Sequence, residues 1–331
     1  MGNLVVKRLV LAHRIYGPES AEILYLQRAS YLLVGLGFTE VINYSFISEE
    51  MLDKLRIPQD SFSRPVLKLA NPVQEEENLL RPSLIPGMFS SLLWNVRHGR
   101  ENLRLFELGR VFHPREAEEL PEERICLSLG VVGLENARWW GEPPRQWDFF
   151  TFSGVVQRLL RTIGVNNFSL EKKELPCFHP AWQAEVKAGD VALGNFGQLH
   201  PGVAEDSGFD RPVFIFELDI SQVLSYNFKK KVYQPVREFL PARRDLALVI
   251  SERVVYKEIE DFIKDYVADR VERVELFDIY KGKNIPRGKQ SLAFTIFYHN
   301  PGNLSAEEVN QFHEQLCQVL ESKFAARVRR K

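Results

Sequence analysis

The sequence predicts an α+β chain in two parts, and three observations carry that reading. Its 331 residues exceed one ordinary domain and suit about two. Three strand patterns, AEVKAG, VALGNFGQLH and VFIFELDIS, follow one another between 184 and 221 with only Gly, Asp and Pro turns between them. Beyond a break at FKKKVYQP, residues 228–235, the periodicities run strand, helix, strand, strand, helix, strand, the βαββαβ order of a ferredoxin-like unit.

Taken in order, LVVKRLVLAHRIYG (4–17) fits a short helix ended by Gly17-Pro18. AEILYLQRASYLLVGLG (21–37) sets Ile23, Leu26, Leu33 and Leu36 near one helical face and stops on Gly35 and Gly37. FTEVINYSF (38–46) then alternates as a strand. SEEMLDKL is a short helix with Ser48 as N-cap and Glu49 and Glu50 in the first turn, where they complement the helix dipole. VLKLANP reads as a strand ending at Pro72, and 81–99 as a helix starting near Pro86 and ending at Gly99. LRLFELGRVFHP (103–114) is a strand that turns on Gly109, ERICLSLGVVG (123–133) a second strand, and TFSGVVQRLLRTIG (151–164) an amphipathic helix.

In the second part the strands are DLALVI, VERVELFDIY, SLAFTIFYH and the basic AARVRR, and the helices VYKEIEDFIKDYV and AEEVNQFHEQLCQVLESKF. Between the central strands lies KGKNIPRGKQ, a hairpin loop bearing Lys281, Lys283, Arg287 and Lys289 among glycines. Such cations suit phosphate contacts, which need charge and little geometry. Leu292, Phe294, Ile296 and Tyr298 share one strand face; Thr295, Phe297 and His299 share the other. Phe297 is left on an open sheet surface for base stacking if the helices cover the first face. The alternative is a solvated hairpin with Phe297 covered by a neighbour.

The net charge of −1 hides an asymmetry. Residues 229–331 hold 20 Lys+Arg against 15 Asp+Glu, and the remainder 23 against 29, so a polyanionic partner suits the second part. Three dispersed cysteines form no CxxC, which argues against a disulfide framework and a thiolate zinc site and for a reducing cytoplasm. No apolar run approaches the ~20 residues that span a bilayer, so no membrane role is expected. Seven histidines make no HxH or HExxH spacing. Glu75-Glu76-Glu77 reads as a solvated cluster, Cys177 and Cys317 as buried thiols, and GNFGQ (194–198) as a hairpin bend and no dinucleotide loop.

Several stretches together resemble the C-terminal half of the bacterial phenylalanine-tRNA ligase β subunit: GLGFTEVINYSF, LANPVQEEENLLRPSLIPG, NLRLFELGRVF, GQLHPGVAEDSGF, VFIFELDI, ARRDLALVISE, LFDIYKGKNIPRGKQSLAF and LSAEEVNQFHEQLCQVLESKF, in the family order. The resemblance implies a remnant of a preceding winged-helix-like domain over 1–19. A catalytic-like class II synthetase module, an antiparallel sheet with helices, follows over 20–226, then a linker over 227–233 and a ferredoxin-fold anticodon-binding domain over 234–331. The family's β subunit is longer at its N-terminus, so the chain is expected to be a C-terminal piece or a short relative. FLPARRD departs from the usual Phe-Pro-Ala order before Arg-Arg-Asp.

Class II activation needs fixed arginines and metal ions at phosphoryl oxygens. Here Gly109-Arg110-Val111-Phe112 runs into His113-Pro114, and Phe214, Ile215 and Phe216 stand where a nucleotide would need room, so the chain itself is expected to be non-catalytic. No cofactor is expected in it; ATP and Mg2+ belong to the α subunit of an implied α2β2 heterotetramer. The expected contacts are Leu26 and Leu33 for α, and Arg243, Arg244, Lys281, Lys283, Arg287, Lys289 and Phe297 for tRNA(Phe). The rival readings are a free-standing activating enzyme and a tRNA- or RNA-binding regulator descended from the subunit.

Overall fold

The computed structural model describes all residues except 1–20, 59–63, 65, 73–74, 116–119, 137–138, 227–239, 268–269, 283, 300–304 and 330–331. The expected N-terminal remnant, the linker and Lys283 therefore lie outside the described residues. The chain divides into two units, Met1–Lys231 and Val232–Lys331.

The first unit is built on a seven-stranded sheet of order β1-β4-β5-β9-β8-β7-β6. Its strands are β1 (Thr39–Glu40), β4 (Leu103–His113), β5 (Glu122–Val132), β6 (Ser169–Glu171), β7 (Phe178–Ala188), β8 (Val191–Leu199) and β9 (Val213–Asp219). All neighbours are antiparallel except β1 and β4, and a short helix α6 (Ile220–Ser225) follows β9. Strand alternation sends successive side chains to opposite faces, and both faces are covered. Phe106, Leu129, Phe196, Phe214 and Phe216 pack with α1 (Ala21–Gly35) and α4 (Phe149–Thr162). Leu105, Val132, Val213 and Ile215 pack with α3 (Ile85–Arg97) and α5 (Pro201–Ser207). Each fully buried large side chain removes apolar surface worth about 1.5–3 kcal/mol.

Local chemistry sets the element ends. Ser48 caps α2 (Glu49–Lys54) by accepting from the Met51 N–H at 3.2 Å, as its position suggests. Asp148 and Thr151 form a reciprocal capping box at the start of α4. FTEVINYSF is not one strand: only Thr39–Glu40 and, in a separate two-stranded ladder, β2 (Phe46–Ile47) pairing β3 (Leu79–Leu80) are extended. VLKLANP contributes one isolated bridge, Lys68 to Leu79, and no strand. GNFGQ is no hairpin bend but the interior of β8. Its glycines are required by close packing, because a Cβ on Gly197 would lie 2.8 Å from the Phe178 ring and one on Gly194 would collide with the Glu217 carbonyl.

The second unit is a four-stranded sheet of order β11-β12-β10-β13. The elements are β10 (Ala242–Ser251), α7 (Tyr256–Val267), β11 (Val271–Tyr280), β12 (Lys289–Tyr298), α8 (Ala306–Phe324) and β13 (Arg327–Val328), the order read from sequence. Leu246, Leu248, Ile250, Leu292, Phe294, Ile296 and Tyr298 form its core with Ile259 and Ile263 of α7 and Leu316 and Leu320 of α8. The two helices contribute their apolar stripes to one sheet face only.

Candidate protein and nucleic-acid interfaces

On the α3 side of the first sheet, polar groups are spent on one another. Arg81 Nη1 donates to Glu107 Oε1 at 2.6 Å, and Asn43 Nδ2 donates to Glu107 Oε2 at 2.6 Å. Arg81 Nε also donates to the Arg110 carbonyl at 2.9 Å. Both partners of the Arg81–Glu107 pair are buried. Gly109 does not turn the strand; it pairs with Cys126 inside β4, and a Cβ there would run into Arg81 Nη2. Glu217 accepts from Ser83 Oγ at 2.9 Å and from the Leu84 N–H, supplying the start of α3 with the cap that Leu84 lacks. Burial pushes the Glu217 carboxyl up to about 7.

Arg110 is exposed and paired with Glu123 at 2.6 Å, while Met88 and Leu92 of α3 lie so close to Gly130 that a Cβ there would sit 2.7 Å from Met88 Sδ. The expected obstruction by Phe214 and Phe216 is corrected, since both point to the opposite, α4 side; Ile215 alone of the three faces α3. His113 is buried opposite Glu122, and burial followed by the Arg124 guanidinium holds its imidazole below the usual range. Cys177 and Cys317 are buried, with the Cys177 thiol pushed up to about 12 by burial. Glu75, Glu76 and Glu77 are exposed, and no His/Cys/Asp/Glu group among the described residues is arranged for a metal ion.

The helix expected to meet a partner presents a different face from the one read in sequence. Leu33 is fully buried in the unit's own core and Leu26 packs partly against it, so neither is available as an outward anchor. The outward positions are Tyr31 (76% exposed) and Val34 (60%), with Leu24 on the same helix. In the following segment Ile42 is 93% and Tyr44 81% exposed. The signal missed is that α1 is apolar nearly all round, so its spacing could not say which stripe the sheet takes.

In the second unit the face of the sheet away from α7 and α8 carries Arg243, Phe297 and Arg273 in one cross-strand row. The Arg273 guanidinium lies 3.8 Å from the Phe297 ring centroid, so the ring is partly covered. Several expected phosphate contacts already have partners. Arg243 Nε is 3.5 Å from Asp245, Lys281 Nζ is 3.5 Å from Glu252, and Arg244 Nε donates to Asn310 Oδ1 at 2.8 Å. Arg287 is exposed on the loop and Lys289 opens β12 on the same sheet face as Phe297. Arg327 and Arg329, absent from the expected set, lie at the far edge of the sheet, where β13 pairs with β10. Their basic run was visible in sequence; their position on an edge strand was not.

Residues 8–220 match the family model of the phenylalanyl tRNA synthetase beta chain CLM domain, and residues 238–329 that of the ferredoxin-fold anticodon binding domain. Among curated proteins, the phenylalanine–tRNA ligase beta subunit of Clostridium acetobutylicum is 32% identical over 90% of this chain and 36% of its own length. The beta subunit of Geobacter sulfurreducens is 33% identical over 92% of this chain and 38% of its own. The chain thus spans little more than a third of these relatives. Among solved structures, pyrrolysyl-tRNA synthetase from Desulfitobacterium hafniense is similar at 17% identity and a TM-score of 0.48, covering 62% of this chain and 68% of that one, a likeness too distant to carry an argument. With a family model covering most of its first unit and a second covering nearly all of the other, the chain belongs to the phenylalanyl-tRNA synthetase beta chain family.

Proposed function

We propose that this chain serves as a non-catalytic part of a cytoplasmic phenylalanine-tRNA ligase, its first unit docking on the catalytic α subunit and its second contacting the anticodon region of tRNA(Phe). The assembly is an α2β2 heterotetramer in which α holds ATP and Mg2+. The observation that carries the docking half is the set of exposed apolar side chains Leu24, Tyr31 and Val34 on α1 and Ile42 and Tyr44 in the irregular segment that follows the edge strand β1. Large aromatic and aliphatic side chains left this bare are the anchors of protein interfaces. Among the described residues no helix is long and apolar enough to cross a membrane.

Co-purification with a phenylalanine-tRNA ligase α subunit tests the reading. Tyr31→Glu with Val34→Glu should abolish capture while leaving the thermal melt of the chain unchanged, because both side chains are outside the core. Capture that survives this double substitution contradicts it. The regulator reading requires RNA binding by a chain that captures no α subunit.

A further inference from the structure

We propose that the groove between the 284–289 stretch of the hairpin loop and β13 binds the phosphodiester backbone of single-stranded RNA, with Lys289, Arg327 and Arg329 as its contacts. The inference rests on the reading that the second unit contacts RNA and says where on that unit the phosphates go. The groove has a volume of about 770 Å3, and Asn284, Pro286, Lys289, Glu321, Arg327 and Arg329 are among the residues that line it.

Three arguments carry the assignment. First, the cations here are uncommitted. Lys289, Arg327 and Arg329 make no ion pair among the described residues, whereas Arg243, Arg273 and Lys281 on the same unit each sit beside a carboxylate. A guanidinium already beside an acid gains less from a phosphate, because the acid repels the incoming anion. Among the described residues Glu321 is the one acid lining the groove, and its Oε1 accepts from the Val328 N–H at 2.7 Å, which draws part of its charge toward the backbone.

Second, the spacing suits a repeating polyanion. Arg327 stands opposite Val249, and the Arg329 N–H continues the ladder to the Ala247 carbonyl at 2.8 Å. Two residues apart on one strand face, the arginines leave the backbone about 6.6 Å from each other. That is of the order of the step between successive phosphates in an extended strand, and a single small anion would use only one of them.

Third, the groove opens onto the uncovered sheet face. Val249 pairs with Ser291, Ser291 with Tyr280, and Lys289 precedes Ser291 by two residues on β12, so the cations border the face that holds Tyr280 and Phe297. A strand with its phosphates in the groove can turn bases toward these rings.

The test uses the full chain and a stem-loop RNA with a single-stranded loop, read by fluorescence anisotropy over a salt series. The triple substitution Lys289→Gln, Arg327→Gln, Arg329→Gln should weaken binding at least tenfold and lower the salt slope by about two, since each single-strand phosphate contact contributes about 0.7. Arg243→Gln with Lys281→Gln should change the slope by less than one. All replaced side chains are at or near the surface, so an unchanged melting temperature shows that the fold is intact. If the parent chain binds and the triple variant keeps the parent slope, the groove assignment is overturned and the RNA reading stands. If the parent chain binds no RNA at low salt, both fall.

Discussion

The two units solve the same packing problem differently. The sheet of the first unit is clothed by helices on both faces, α1 and α4 on one and α3 and α5 on the other. Among the described residues, the sheet of the second unit has helices on one face only. In the first unit the charges that lie under α3 are buried and have internal partners, as Glu107 has Arg81 and Glu217 has Ser83 and Leu84. In the second, the free face can keep charges in water and present them. A closed sheet leaves its helix edges for contact with other proteins, and an open sheet offers its own face to a ligand.

This contrast can be broken most forcefully at Arg81. Arg81→Met leaves Glu107 buried without its ion partner and should cost about 3–5 kcal/mol in chemical denaturation. Arg110→Met, which removes an exposed partner from Glu123, should cost about 0–1 kcal/mol. Equal losses would show that the α3 side of the sheet is not closed. In the second unit, Phe294→Ala on the covered face should cost about 3–5 kcal/mol by opening a core cavity. Phe297→Ala three positions on, on the open face, should leave stability within about 1 kcal/mol and weaken RNA binding instead.

A smaller effect concerns pH. The Glu217 carboxyl is raised from its ordinary 4.5 to about 7 in the folded chain, first by burial, so folding favours its protonated form. The unfolded chain releases this proton at lower pH. The stability contribution is therefore full below about 4.5 and is lost as pH rises through about 7. Denaturation at a series of pH values should show this decline in the parent and not in Glu217→Gln. A parent whose stability rises over the same interval would mean that the helix-start hydrogen bonds outweigh burial.

Much of the fold was legible because the relevant signals are local. Ser48 before Glu49-Glu50 gave a cap, and the alternation of Leu292, Phe294, Ile296 and Tyr298 gave a core face that the structure keeps. Three things were not legible. On α1, Leu26 and Leu33 could not be told from Tyr31 and Val34, because apolar residues surround the helix and only tertiary packing selects a stripe. Gly109 looked like a turn residue, although its reason is the Arg81 guanidinium, which lies 28 positions earlier in sequence. The second unit's cations could be counted, yet their usefulness depends on whether Asp245 or Glu252 already stands beside them.

The division of labour between the units is tested most directly by side-chain oxidation footprinting of the full chain alone, with a phenylalanine-tRNA ligase α subunit, and with tRNA(Phe). The account predicts that α protects Tyr31, Ile42 and Tyr44 and leaves Tyr280 unchanged, while tRNA protects Tyr280 and leaves Tyr31, Ile42 and Tyr44 unchanged. Protection of Tyr280 by α, or of Tyr31 and Tyr44 by tRNA alone, would contradict it.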